Sequence, residues 1–477
     1  MDEETRPHVA VVGGGIAGLA AAWHLNAMSG GAVRVTVFEG SDAIGGKLRT
    51  SEVGGLILDE GAESMLLRRH EAVTLTHAVG LGPDVVHAST AGAALWIGNR
   101  LRPLPPGQLM GIPGDLRALA ASGVLSVPAL ARIPLDHLLP STPVRADVSL
   151  GRFVAARVGR EVVDRLVEPI LGGVYAGHAD DISLDAALPQ LSGAVRVERS
   201  LLRGVRQVLG NGRRRSIGRP AFASLRGGLG RLPIAVAAGS GAHIRTRATV
   251  RELRRSPGGW RLTVGSARAP ESVFADAVVL ATPATPTSRL LRDVVPTAAT
   301  ELAAIEYASV GVVTFVFPRA ALPHGLDGTG FLVPPSEQRV IKAATFSTSK
   351  WGWLAEQHPD LIAVRISVGR HREEHDLQRD DADLAWVAQS ELAAATGILD
   401  APIDTRVTRW GGALPQYAVG HLDRVDRIRR AVAAQPGLAV CGAAYEGVGI
   451  PACIQSGERA ATRVLAEVAQ GQQWVHA

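Results

Sequence analysis

Apolar residues open the chain in an unbroken run, His8–Val12, followed by helical spacing over Ala17–Leu25 and polar–apolar alternation over Arg34–Phe38. Strand, glycine turn, helix and strand in that order make a βαβ unit, which needs a parallel sheet beside it. Farther on, Leu150, Val154, Val158, Val162, Leu166 and Ile170 recur every fourth residue. That spacing predicts a helix with one buried stripe, with Pro169 near its end. A second helical stretch is expected within Asp185–Leu209. Strand patterns return at Trp260–Val264, Val273–Leu280, Val310–Phe317 and Leu361–Val368. A helix over Asp383–Ala395 starts on acidic residues and stops at Gly397. Leu438–Ala460 reads as strand, glycine-rich loop and helix. The expected fold class is α/β, an α+β multidomain chain in which one domain is assembled from separated pieces.

Composition narrows the functional classes. The 477 residues are 46% hydrophobic and 20% charged, which excludes a disordered protein. Two cysteines, Cys441 and Cys453, exclude a disulfide scaffold and a four-cysteine zinc module; both are expected to be packing residues. The formal charge is +5, and the only lysines are Lys47, Lys342 and Lys350, so nearly all the positive charge is arginine. No basic run with interleaved aromatics points to nucleic acid. Met1-Asp2-Glu3-Glu4 lacks the basic start of a signal peptide, and no later stretch is long and apolar enough to span a bilayer, so a cytoplasmic location is expected. His371-Arg372-Glu373-Glu374-His375 fits an H-x-x-E-H zinc pattern, but follows a strand and is crowded with charge. A solvated turn and no metal are expected there.

Candidate chemistry begins at Val11-Val12-Gly13-Gly14-Gly15-Ile16-Ala17-Gly18, a G-x-G-x-x-G between strand and helix. Gly13 permits the tight turn, Gly15 lets a pyrophosphate approach the backbone, and Gly18 lets helix and strand pack closely. The helix N-terminus then faces the anion. Glu39, 21 residues after Gly18, ends the second strand, where a carboxylate accepts from ribose hydroxyls. An unphosphorylated ribose means FAD or NAD rather than NADP.

Gly45-Gly46-Lys47-Leu48-Arg49-Thr50 adds a second glycine pair, followed by Leu58-Asp59-Glu60-Gly61-Ala62-Glu63-Ser64. This resembles the flavoprotein superfamily of amine oxidases, carotenoid desaturases and protoporphyrinogen oxidases, and implies FAD. Three more stretches narrow the likeness: Pro103–Pro113, Pro169-Ile170-Leu171-Gly172-Gly173-Val174-Tyr175-Ala176-Gly177, and Gly442–Ile454. Arg409-Trp410 with Leu414-Pro415-Gln416-Tyr417 is a fourth match. Together they resemble the FAD-dependent porphyrinogen oxidases, most closely the Gram-positive type coproporphyrinogen III oxidases.

The resemblance implies a Rossmann-like FAD-binding domain of the amine oxidase type in three pieces (1–85, 222–290 and 435–477). It also implies a mixed-sheet substrate domain (86–109 and 291–434) and a helical lobe (110–221). Carried over by position, the FAD contacts are Gly13, Gly14, Gly15, Ile16, Ala17, Gly18, Glu39, Gly40, Gly45, Gly46, Lys47, Gly61, Ala62, Glu63, Ser64, Val250, Trp410, Val448, Gly449 and Ile450. Arg69 is expected at a propionate, with Gly173 and Tyr175 on the ring-binding face. The implied reaction is three two-electron oxidations of a tetrapyrrole porphyrinogen, with dioxygen as acceptor and peroxide as product. No catalytic base is identified, because the flavin supplies the difficult chemistry. Protoporphyrinogen IX is the alternative substrate, with amines or carotenoids behind it. A flavin-free porphyrin- or lipid-binding protein is the alternative outside enzymes. Transient docking to a ferrochelatase fits the resemblance, and a core is favoured over a peripheral membrane patch for residues 110–145.

Overall fold

Five short strands lie side by side in one parallel sheet, in the order His243–Arg245, Arg34–Phe38, His8–Val12, Ala277–Leu280 and Leu438–Val440. This is seen in a computed structural model describing residues 6–89, 92–142, 144–216, 221–322 and 328–475. Met1–Glu4 and Pro143 lie outside the described residues. The central strand β1 (His8–Val12) is buried at all five positions, which explains its continuous apolar run: helices cover one face, and a second apolar cluster covers the other. Helix α1 (Ile16–Ser29) follows, and Gly30, in the left-handed region at φ 58°, closes it. Strand β2 (Arg34–Phe38) completes the unit. The last helix, Ile450–Val475, packs along α1. Their close crossing needs Gly457, where a Cβ would collide with the Ala17 carbonyl.

The Val273–Leu280 run is not one strand. Ala269–Ala275 belongs to an antiparallel sheet with Val250–Ser256 and Gly259–Ser266, whereas Ala277–Leu280 pairs with β1. Asp276 makes the break: its N–H donates to the His8 carbonyl (2.8 Å), and its carboxylate accepts from the His8 N–H (2.6 Å).

The helix expected over 150–170 is also divided. Helix α2 (Leu150–Val158) starts on the Ser149 side chain and ends at Gly159, φ 105°. The chain resumes at Arg160, widens into a π-turn over Val163–Val167, and enters helix α3 (Glu168–Tyr175). Pro169 is the second residue of α3 and so starts a helix instead of ending one. Leu150, Val154, Val158, Val162 and Leu166 are all fully buried, so the stripe survives the break. Helices Leu184–Ala187, Pro189–Val197 and Leu201–Ser216 occupy the second predicted stretch. The proline-rich chain before α2 is pinned by Arg157, which is buried and donates to Asp136 (2.6 Å) and the Pro140 carbonyl (2.5 Å).

A seven-stranded mixed sheet forms the other large layer. Its order is Asp404–Pro415, Tyr307–Pro318, β5 (Leu361–Val368), β4 (Ile341–Phe346), β3 (Gly330–Leu332), Ala94–Ile97 and Arg100–Pro103. One face buries Phe315, Phe331, Ile341, Val364 and Ile366 against the helix Asp381–Thr396. That helix is capped by Asp380, whose carboxylate accepts from the Asp383 N–H (2.8 Å), and ends at Gly397, φ 80°. Helix α3 packs across β3 and β4. Among the described residues no helix is long and apolar enough to cross a membrane.

Candidate flavin and substrate site

The glycine turn after β1 is shaped from both sides. At Gly13, φ 111°, a Cβ would sit 2.9 Å from the Ala281 carbonyl oxygen; at Gly18 it would collide with the Gly13 carbonyl. Gly15 differs, because a Cβ there would meet nothing within 4 Å. Its glycine is required by something other than the protein's own packing. The N-terminus of α1 has no side-chain cap and no acidic residue in its first turn, so its N–H groups and positive end remain for an anion. Gly45 bridges to Gly15, and the Gly45 N–H donates to the Gly14 carbonyl (2.8 Å), bringing the second glycine pair against the first. Glu39 is docked at this turn, accepting from the N–H groups of Gly14 (2.7 Å) and Ser41 (2.8 Å). The Ala248 N–H donates to the Glu39 carbonyl (2.8 Å), and a Cβ on Gly40 would lie 3.1 Å from Thr249 Oγ1. Val250 is therefore a near neighbour of Glu39 and Gly40. An open backbone cradle, an uncapped helix and an acid at the next strand end fit a dinucleotide.

A second group lies farther along. Gly61 is wedged between the Lys47 carbonyl and the Trp410 ring, which would stand 3.4 Å from its Cβ. Trp410 Nε1 donates to the Glu60 carbonyl (3.0 Å), and the Ala62 N–H to that of Lys47 (3.3 Å). Tyr417 fixes the C-terminal glycine loop by donating its hydroxyl to the Ala443 carbonyl (2.5 Å) and accepting from the Gly447 N–H (2.8 Å). Val448, Gly449 and Ile450 follow, with Gly449 exposed and Ile450 starting the last helix. Desolvation holds the Lys47 ammonium below the ordinary lysine range although its surface is accessible. Burial raises the Cys453 thiol to about 11, against the opposing charges of Lys47 and Arg69. Cys441 is raised too, and both buried thiols are protonated packing groups.

The Glu63 side chain is held within the protein. Its carboxylate accepts from Lys350 Nζ (2.6 Å) and Arg365 Nη1 (2.7 Å), all three side chains being largely buried. Burial would raise its pKa, but the two cations outweigh that and hold it at about 2. Arg365 Nη2 also donates to the Gly61 carbonyl (2.6 Å). The cluster thus positions the Gly61–Ser64 segment, leaving Glu63 only its backbone for a ligand.

Of the three expected substrate contacts, Gly173 is exposed and open, with only Leu332 Cδ2 at 3.8 Å from a Cβ. Arg69 lies beside the C-terminal glycine loop, but its guanidinium is shared with Glu71 (2.9 Å) and Gln455 (2.8 Å). Tyr175 is buried in the lobe's core, its ring 5.5 Å from Tyr417, and burial raises its hydroxyl to about 12.

The H-x-x-E-H residues do not converge. His371 is buried and meets Glu306 (3.0 Å), whereas Arg372, Glu373 and His375 are exposed, as expected of a solvated turn. A recess of about 400 Å³ beside His371, lined also by Glu306, Tyr307 and Arg372, contains none of the glycine-turn residues.

Sequence reasoning missed Lys350, Arg365, Lys342 and Arg370. Lys342 is buried, and burial followed by the charge of Arg370 lowers its ammonium to about 7. One signal was available. In a chain that otherwise uses arginine, Lys47 stands exposed beside the second glycine pair, and Lys342 and Lys350 stand inside the molecule.

The family model for flavin containing amine oxidoreductases matches residues 16–465. A Mycobacterium tuberculosis protein named coproporphyrinogen III oxidase is 38% identical over 95% of this chain and 96% of its own length. A Bacillus subtilis protein of the same name is 32% identical over 96% and 98%. The crystal structure of a putative protoporphyrinogen oxidase from Exiguobacterium superposes with a TM-score of 0.85 at 31% identity, covering 97% of this chain and 99% of that one.

Proposed function

Because the chain belongs to the flavin-containing amine oxidoreductase family, with FAD as its cofactor, we propose that it oxidises coproporphyrinogen III to coproporphyrin III in haem biosynthesis. Six hydrogens leave the substrate in three two-electron steps, and three dioxygen molecules become three hydrogen peroxide. The observation that carries this reading is the 38% identity over nearly the full length of both chains. Protoporphyrinogen IX is the second reading, favoured by the likeness to the Exiguobacterium structure.

The flavin, when bound, supplies the two-electron chemistry and the reaction with dioxygen. The protein's part is to bind, orient and exclude water. We assign the pyrophosphate to Gly13–Gly18 and Gly45–Gly46, the ribose to Glu39, and the adenine side to Gly40 and Val250. Lys47, Gly61–Ser64, Trp410 and Val448–Ile450 are assigned to the ring end. Tyr417 and the Glu63–Lys350–Arg365 cluster hold two of those segments in place. Tyr307 and Tyr417 are held protonated by burial, and burial lowers buried His421 to about 4. None of these groups is poised as a base near neutral pH, which suits a reaction whose pyrrole N–H protons pass to solvent. The substrate disc is assigned to the open side of Gly173, with Arg69 at its rim.

The same proposal holds that residues 1–85, 222–290 and 435–477 form the FAD domain, with the substrate domain and helical lobe as delimited above. It also holds that the enzyme works in the cytoplasm and passes its porphyrin to a ferrochelatase. The test is an aerobic porphyrin-fluorescence assay offering both porphyrinogens to the purified holoenzyme. A kcat/KM advantage of about tenfold or more for coproporphyrinogen, about 1.4 kcal/mol, is expected. A preference for protoporphyrinogen moves the assignment to the second reading.

A further inference from the structure

Strand β4 carries a bulge. Ile341 pairs with Val368 and Ala343 with Ser367, so Lys342 is the extra residue between them. Bulges re-aim side chains, and this one aims a lysine into the interior. Lys342 is only 6% exposed, yet its Nζ has no carboxylate, carbonyl or hydroxyl partner among the described residues. A buried ammonium with no counter-charge is costly, so proteins seldom keep one that serves no ligand.

Its surroundings are cationic. Arg370, just past the end of β5, donates Nη2 to the Val333 carbonyl (3.2 Å), while the Val333 N–H donates to the Lys342 carbonyl (2.9 Å). Val333 thus ties the Arg370 side chain to the backbone of Lys342. The nearby carboxylates are Glu391, Glu373 and Glu168, and all three influence Arg370, not Lys342. Glu391 is already committed to the N–H groups of Val340 and Ile341, and Glu168 to that of Ala179. Leu332, next to Val333, borders the open side of Gly173 on helix α3, which packs over β3 and β4.

We propose that Lys342 and Arg370 form a buried carboxylate subsite in the substrate cavity, receiving a propionate at the edge of the macrocycle remote from Arg69. This inference rests on the porphyrinogen reading and makes it more specific. A vinyl group placed there would leave the ammonium buried without a partner, so the subsite selects four-propionate over two-propionate substrates.

The experiment compares wild type, Lys342→Met and Lys342→Arg as FAD-loaded enzymes. Met keeps the volume and removes the charge. The expected result for Lys342→Met is a KM for coproporphyrinogen III, and a Kd for coproporphyrin III, raised about 10- to 100-fold. kcat should fall far less, the FAD-to-protein ratio should hold, and Tm should be unchanged or higher. Lys342→Arg should recover part of the affinity. Wild type should also take up a proton on binding coproporphyrin III at pH 8, where the free ammonium is largely neutral, and Lys342→Met should not. Unchanged KM and Kd in Lys342→Met overturn the proposal. So does loss of FAD or a lowered Tm, which would make the lysine structural. If wild type turns over neither porphyrinogen, the porphyrinogen reading fails; if wild type is active and Lys342→Met matches it, only the subsite fails.

Discussion

Replacing Glu63 with Gln tests whether the Glu63–Lys350–Arg365 cluster holds the fold together beside the Gly61–Ser64 segment. Moving a carboxyl from 4.5 to about 2 in the folded state is worth about 3 kcal/mol at neutral pH. Breaking a buried ion pair from one side costs about 3–5 kcal/mol, because the remaining charge is stranded. Here Arg365 and Lys350, 8% and 14% exposed, would be stranded together. Part of the loss is recovered nearby. Asp59 is raised to about 7 by burial, with the charge of Glu63 adding to it, and removing that charge lets Asp59 ionise beside Arg365. A loss of about 3 kcal/mol is therefore expected at pH 7, measured by urea unfolding followed through tryptophan fluorescence. The sign with pH follows from the depressed pKa. The contribution of Glu63 is complete above 4.5 and is lost as pH falls toward 2, so the gap between wild type and variant should shrink by about 1 kcal/mol between pH 7 and 3.5. A loss below about 1 kcal/mol at pH 7, or a gap that widens on acidification, refutes the reasoning.

Gly15→Val should fold with near-normal stability yet purify without flavin, since only the ligand's space is filled, whereas Gly18→Val should not fold; absorbance near 450 nm and circular dichroism separate the two. Tyr417→Phe leaves the Ala443 carbonyl and the Gly447 N–H without their bridge, and should cost about 1–3 kcal/mol and shift the flavin spectrum. His421 is buried, stacked on Tyr417, and lowered to about 4 in the folded state against 6.5 unfolded. The unfolded chain binds its proton first, so wild type should lose stability as pH falls from 6.5 to 4, and His421→Gln should lose about 2–3 kcal/mol less over that window in parallel urea titrations.

The βαβ start was legible because each of its elements has an unmixed pattern, and β2 and β5 match their predicted bounds. The glycine spacing carried the turn because Gly13 and Gly18 each answer to a separate steric demand, while Gly15 leaves open space. Patterns failed where one apolar run served two structures. Val273–Leu280 alternates well enough for a strand, but Asp276 answers His8, more than 260 residues away, and hands the run from one sheet to another. The four-residue stripe of 150–170 passed unbroken through Gly159 and the π-turn, so burial alone could not reveal either. At the candidate site, the glycine cradle was readable from its spacing and side-chain direction was not. The partners of Glu63 arrive nearly 300 residues later, and Lys342 meets Arg370 through a bulge that leaves no mark on hydrophobic periodicity.

The packing of the last helix along α1 has a consequence for the order of events during synthesis. The ribosome releases β1 and the glycine turn early, but Leu438–Val440 and the helix bearing Gly457 emerge only after roughly 400 more residues. At about 5–20 residues per second, that is roughly 20–80 s in which the nascent nucleotide half has an open sheet edge and an uncovered apolar face. Over that interval the outer edge of Ala277–Leu280, where Leu438–Val440 later pairs, and the face of α1 that the last helix covers stay open to other chains.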